Sequence, residues 1–264
     1  MDLPSIFAYP QINMINIKHK LYILSLSAIL LGACSTKYAV VKSNREEYKI
    51  SDEVAVDSNI IKTYLPYKAK LDAEMNEVIG NTDVVLSKSS KLPESILGNF
   101  FADAVFNQTK KLEPNVDFVF PTTTGGLRND IAKGPITVSS IFELMPFENQ
   151  LVLFNLKGED VLKVINYIAA RGGQPVSGLK FNIKDKLPEN IQINGKTFDV
   201  NKNYWVVASD YIASGGDDAT GFATPISRKN IGLLVRDALL QEVKAIKASG
   251  KSINTRLDGR ITKN

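Results

Sequence analysis

Leu179-Lys180-Phe181-Asn182-Ile183, then Ile191-Gln192-Ile193-Asn194-Gly195, then Tyr204-Trp205-Val206-Val207-Ala208 form the stretch that decides the fold class. Apolar side chains alternate at 179, 181 and 183, the two-residue period of a strand with one buried face. Asn194-Gly195 between strand-like pieces suits a two-residue hairpin turn, because both residue types accept positive φ. Immediately upstream, Val161, Leu162, Val164, Ile165 and Ile168 share one face of a predicted helix over 158–170, and Gly172-Gly173 ends it. Further out, 151–156 reads as a strand, as does Phe118-Val119-Phe120, which Pro121 and Thr122-Thr123-Thr124 close. A helix over 94–109 turns Ile96, Leu97, Phe100, Phe101, Val105 and Phe106 inward. Shorter pieces are a strand at Val84-Val85-Leu86, a strand over 136–138 and a helix over 139–144, and 230–248 reads as a final helix. Ahead of them all, Ile61, Tyr64, Leu71, Met75, Val78 and Ile79 recur at helical spacing, predicting a leading helix that Gly80 stops. Helices and strands interleave irregularly around a hairpin, so the expected class is α+β, a mixed sheet with flanking helices, and not a doubly wound parallel sheet.

The bulk numbers narrow the function classes. With 264 residues and 44% hydrophobic content the chain is globular in composition, not disordered. Its net charge is +4, from 32 Lys and Arg against 28 Asp and Glu, which is too balanced to predict a nucleic-acid partner. Lys18 and Lys20 precede an apolar run over 21–31 that ends in Leu31-Gly32-Ala33-Cys34. A basic start, an apolar run too short to span a bilayer and small residues before a cut site describe a secretory signal over 1–33, with Met14 as its expected start. The Leu-Gly-Ala-Cys ending resembles a bacterial lipobox, in which Cys34 is acylated and anchors the protein without a spanning helix. Ser35 is not an acidic retention residue, which favours the outer membrane. Residues 34–57 are polar and charged, as a tether would be, leaving 58–264 as the domain with its leading helix.

Two counts exclude chemistry. The single cysteine is Cys34, and the single histidine, His19, lies in the segment that cleavage removes. The mature chain therefore has no imidazole for a Ser-His-Asp or Cys-His mechanism, and none for a histidine-rich two-metal centre. No cofactor or metal is expected in this chain.

Three stretches carry glycine or polar groups beyond what a plain core needs: Thr124-Gly125-Gly126-Leu127-Arg128-Asn129, Met145-Pro146-Phe147-Glu148-Asn149 and Tyr211-Ile212-Ala213-Ser214-Gly215-Gly216-Asp217. A Gly-Gly pair lets backbone approach a ligand, and serves equally as an ordinary turn. Phe147 can plug a core, Tyr211 can end a strand, and Asp217 can cap the turn at Gly215-Gly216. In this order and at these separations, however, the stretches resemble the carboxy-terminal domain of the 5'-nucleotidase family. Leu97-Gly98-Asn99-Phe100-Phe101-Ala102-Asp103-Ala104 is similar to that domain's opening helix, and Val176-Ser177-Gly178-Leu179-Lys180 to its middle strand. The resemblance covers about 60–250.

Family members pair an amino-terminal dimetal phosphoesterase with this carboxy-terminal domain, which holds the nucleoside and contacts the phosphates. The resemblance implies that Phe147 and Tyr211 sandwich the base, that Asp217 accepts hydrogen bonds from the ribose, and that Arg128 faces phosphate. It also places Gly178 close to the base and puts Asn99, Gly215 and Gly216 in the substrate-binding set. Two positions depart from the pattern. Thr123 replaces an asparagine five residues before the arginine, and Lys91 and Pro93 stand where phosphate-binding arginine is common. Residues 34–60 leave room for a tether and not for a dimetal domain. The expected function is therefore the recognition half of a split 5'-nucleotidase, with divalent metals in a partner phosphoesterase chain. The alternative is a stand-alone envelope lipoprotein that binds nucleosides or nucleotides.

Overall fold

A computed structural model describes residues 19, 21–22, 24–25, 42–49, 51 and 54–263. Cys34 and almost all of the predicted signal segment lie outside these residues. The chain divides into two compact units, 1–56 and 57–264. In the first, 42–49 are exposed and form neither helix nor strand.

The second unit opens with α1 (Ser58–Met75), capped by the Asp57 carboxylate, which accepts from the backbone of Asn59 and Ile60. Then follow β1 (Val78–Thr82), α2 (Ile96–Leu112), β2 (Phe118–Phe120), β3 (Gly134–Thr137), α3 (Val138–Leu144), β4 (Gln150–Lys157) and α4 (Gly158–Ala170). The carboxy-terminal part holds β5 (Leu179–Lys184), β6 (Leu187–Ile193), β7 (Lys196–Thr197), β8 (Asn203–Ser209), α5 (Asp210–Ala213), β9 (Ser227–Leu234), α6 (Val235–Ala248) and β10 (Ile261–Lys263).

The central sheet has the order β2-β8-β4-β9, with β2 parallel to β8 and the other pairs antiparallel. A second sheet runs β10-β5-β6-β7, with β10 parallel to β5, and β1 pairs with β3. The architecture is the expected α+β with mixed sheets and flanking helices. Period-two alternation explains why both faces of the central sheet are covered. Val119, Leu151, Leu153 and Val207 face a core built with Leu97, Phe101 and Val105 of α2 and Leu239 and Val243 of α6. Their neighbours Phe118, Phe120, Val152, Phe154, Val206 and Ala208 face the other way, onto Val161, Ile165 and Ile168 of α4 and onto Phe181, Ile183 and Ile193 of the second sheet. Each fully buried phenylalanine contributes roughly 2–3 kcal/mol of burial.

Helix α4 matches its sequence boundaries, and Gly172 and Gly173 close it with φ of +78° and +107°. Asn194 and Gly195 also take positive φ, +49° and +73°, in the tight turn between β6 and β7. Some expectations need correction. The leading helix ends at Met75, and Val78, Ile79 and Gly80 belong to β1, where Val243 packs so closely on Gly80 that a Cβ would lie 2.4 Å from it. The apolar residues of α1 are not core residues: Ile60 is 63%, Tyr67 76% and Leu71 56% exposed. Finally, 230–234 is strand β9 and not helix. Gly232 with φ +75° cannot continue a helix, and Asn230 pairs with Val152 of β4. Val84-Val85-Leu86 forms only an isolated bridge, Leu86 to Ile131.

Candidate functional site

The register of the central sheet gathers the three motif stretches at one end of the sheet. Phe120 lies beside Ala208 in the parallel β2/β8 pair, and Leu151 opposite Ser209 in the antiparallel β4/β8 pair. The loop leaving β2, the loop entering β4 and the segment leaving β8 therefore meet at the same place. Asn149 Nδ2 donates to Asp210 Oδ1 across 3.0 Å and ties two of them together.

The result is a cleft of about 390 Å³ lined by Thr122, Gly125, Gly126, Arg128, Phe147, Asn149, Tyr211 and Asp217. Phe147, half-buried, packs on the first core, and the Arg128 guanidinium carbon sits 5.0 Å from its ring centroid, within cation–π range. Tyr211 is 47% exposed, and its ring lies against Gly216, where a Cβ would come within 2.5 Å of a ring carbon. Gly126 is likewise needed for fit, since its Cβ would lie 2.1 Å from Thr122 Oγ1.

Asp217 is the polar centre of the cleft. The Thr123 hydroxyl donates to Oδ2, and the Tyr211 hydroxyl donates to Oδ1 at 2.9 Å. The bond from Thr123 lowers the Asp217 pKa most, partial burial opposes it, and Tyr211, Arg171 and Arg128 add to the lowering, so the carboxyl is ionised at neutral pH. The same bond to Asp217 raises the Tyr211 pKa, so the phenol stays protonated and donates. Thr123, the departure from the asparagine pattern, is thus a buried hydroxyl donor to the acid, 4% exposed.

The predicted site residues divide. Phe147, Tyr211, Asp217 and Arg128 share the cleft, and Gly215 and Gly216 form the turn that presents Asp217. Asn99 and Gly178 do not line it. Asn99 is buried, with Nδ2 donating to Glu94 and to the Arg256 carbonyl. Gly178 has φ +82° and fits against the Asp117 carbonyl, where a Cβ would meet the oxygen at 2.4 Å, so close backbone packing explains this glycine. Lys91 and Pro93 lie beside Ile261–Lys263 and do not line the cleft either. Lys88 supports the cleft instead, its ammonium donating to the carbonyls of Leu127 and Arg128 at 2.7 and 2.9 Å. Sequence reasoning missed Thr122 as a lining residue, as well as Tyr167 and Arg171, which hold the Asp217 carbonyl. Among the described residues no group of three or more His, Cys, Asp or Glu side chains is placed to hold a metal ion, and no helix is long and apolar enough to cross a membrane.

Residues 78–224, more than half of the chain, match the protein family "5'-nucleotidase, C-terminal domain". The chain belongs to this family. It is 27% identical over 232 residues to Protein UshA of Yersinia enterocolitica, covering 84% of this chain and 41% of that protein. The trifunctional nucleotide phosphoesterase protein YfkN of Bacillus subtilis is 25% identical over 239 residues, which is 83% of this chain and 16% of the relative. Among solved structures, the 5'-nucleotidase precursor of Thermus thermophilus superposes with a TM-score of 0.65 at 27% identity, over 76% of this chain and 42% of that one. The chain thus spans less than half the length of each of these relatives. The matched region begins at β1 and ends just past the Asp217 turn, so it contains every residue of the cleft.

Proposed function

We propose that this chain is the nucleoside- and nucleotide-recognition subunit of a split 5'-nucleotidase, held at the bacterial envelope through lipid on Cys34, and that a separate dimetal phosphoesterase chain carries out hydrolysis. The observation that carries this reading is the convergence of Phe147, Tyr211, Arg128 and Asp217 on one cleft. Its volume of about 390 Å³ falls in the range of small-ligand sites. Two aromatic rings suit a nucleobase, since stacking contributes on the order of 1–3 kcal/mol per base and tolerates different bases. An ionised Asp217 accepts hydrogen bonds from ribose hydroxyls, and the forked donors of Arg128 suit a phosphate. The assignment of hydrolysis to a partner rests on the donor set: His19 and Cys34 are the chain's only histidine and cysteine, so the imidazoles of a histidine-rich dimetal centre must come from elsewhere.

Calorimetry with AMP, adenosine and a UDP-sugar tests recognition, and the Phe147→Ala, Tyr211→Ala double variant should abolish binding. Unchanged affinity in that variant overturns the site. Mixing the chain with a phosphoesterase encoded beside it tests the split. Faster nucleotide hydrolysis than by the phosphoesterase alone supports it; no gain with binding intact leaves the chain a stand-alone nucleoside- or nucleotide-binding lipoprotein.

A further inference from the structure

The turn that presents Asp217 is built from backbone that ordinary residues avoid. Gly215, Asp217 and Asp218 have φ of +87°, +54° and +61°. Among the described residues, the other non-glycine residues with positive φ are Asp185 and Lys186 in the β5–β6 turn, Asn190 in β6 and Asn194 in the turn before β7. Left-handed backbone is disfavoured for residues with a Cβ, and this turn lies at the surface, with Gly215 and Asp218 exposed. Core packing therefore does not hold it.

Beyond the turn's own backbone bonds, from Asp218 N to the Gly215 carbonyl and from Ala219 N to the Gly216 carbonyl, two side chains from α4 and its end brace it. Arg171 also reaches the Asp218 carboxylate at 3.4 Å. The Asp217 carbonyl oxygen accepts from the Tyr167 hydroxyl and from Arg171 Nη2, each at 2.7 Å. The two donors act as a unit: Arg171 is four residues on from Tyr167, and its guanidinium carbon lies 4.8 Å from the Tyr167 ring centroid. The Tyr167 ring in turn packs on Phe120 at 6.0 Å, the last residue of β2. Burial, above all, pushes the Tyr167 phenol up, so it keeps its proton and remains a donor at neutral pH. Both bonds go to the main chain of Asp217, leaving the carboxylate to Tyr211, Thr123 and a ligand. Neither Tyr167 nor Arg171 lines the cleft.

We infer that Tyr167 and Arg171 are positioning residues that fix the angle at which the Asp217 carboxylate meets the hydroxyls of a ribose. They govern preference for the sugar and leave stacking of the base untouched. This inference rests on the recognition reading above.

The test titrates the full chain, as wild type and as Tyr167→Phe, Arg171→Ala and Arg171→Lys, with adenosine and with 2',3'-dideoxyadenosine, and records thermal unfolding of each. Wild type should prefer adenosine. Tyr167→Phe and Arg171→Ala should each weaken adenosine binding about fivefold, the worth of one net hydrogen bond, while dideoxyadenosine binds as it does to wild type. Arg171→Lys should recover most of the loss, since an ammonium still reaches a single carbonyl. Equal loss for both nucleosides, or an undiminished preference for adenosine in Tyr167→Phe and Arg171→Ala, overturns the inference. Wild type that binds neither nucleoside overturns the recognition reading and this inference with it, whereas failure confined to the variants overturns the inference alone.

Discussion

Replacing Gly216 with alanine would put a methyl group where the Tyr211 ring now lies. The new Cβ would stand 2.5 Å from one ring carbon and 2.6 Å from two others, far inside van der Waals contact, so the ring must swing away. Gly216 does not have positive φ, and its backbone accepts alanine without strain. The damage is thus confined to a ring that is 47% exposed and to its 2.9 Å bond with Asp217. Stability should change by less than about 0.5 kcal/mol, as for most surface substitutions, which moves the unfolding midpoint by about 2 °C at most. Affinity should suffer more. Losing one stacking face weakens nucleoside binding by about 1–3 kcal/mol, roughly fivefold to a hundredfold. Isothermal calorimetry with adenosine, beside differential scanning calorimetry, separates the two effects. A dissociation constant within about twofold of wild type, well short of the tenfold that 1.4 kcal/mol represents, would refute the role given to Tyr211.

Other perturbations address the frame around the cleft. Phe101→Ala, at a fully buried position in the first core, should cost about 3–5 kcal/mol in urea unfolding. Leu71→Ser on α1, where leucine is 56% exposed, should stay within about 0.5 kcal/mol of wild type by the same assay, and a loss of several times that would mean the helix packs on something. Arg260 is 12% exposed and pairs with Asp103 and Asp258; burial works against its charge, but the two acids outweigh it and hold the guanidinium protonated. Arg260→Met should cost about 2 kcal/mol, less than for a fully buried pair because Asp103 is 38% exposed. Asp258 has its folded pKa lowered, chiefly by the bond from Arg260, so its contribution is present above the ordinary carboxylate pKa and is lost as pH falls through the lowered value. Wild-type stability should therefore decline below about pH 4, and the decline should be shallower in Arg260→Met.

Amphipathic periodicity revealed α4 to the residue, because five apolar positions on one face and a terminal Gly-Gly are local signals. Short apolar runs located the central strands β2, β4 and β8, and period-two alternation located β5. The helical reading misjudged 230–234, where the polar Asn230 and the apolar Ile231, Leu233 and Leu234 run without a break into the apolar face of α6. Only the pairing of β9 with β4 distinguishes the two elements. It also gave α1 an apolar stripe without revealing that the stripe stays exposed. In the cleft, Phe147, Tyr211, Arg128 and Asp217 were legible only as a collinear pattern, since each alone passes for a core plug or a turn residue. Tyr167 and Arg171 gave no signal, because nothing local shows that the hydroxyl and guanidinium at the end of an ordinary helix reach across to the carbonyl at 217.

The segment 260–263 has a consequence for how the polypeptide is made. Arg260 clamps Asp103 and the Val176 carbonyl, and Ile261 lies beside Phe181 as β10 extends the second sheet. Strand β5 therefore keeps one side without its partner until 261–263 have emerged from the ribosome, and native closure must wait for them. Until then that side of β5 is a sheet edge whose unpaired backbone groups are open to mispairing.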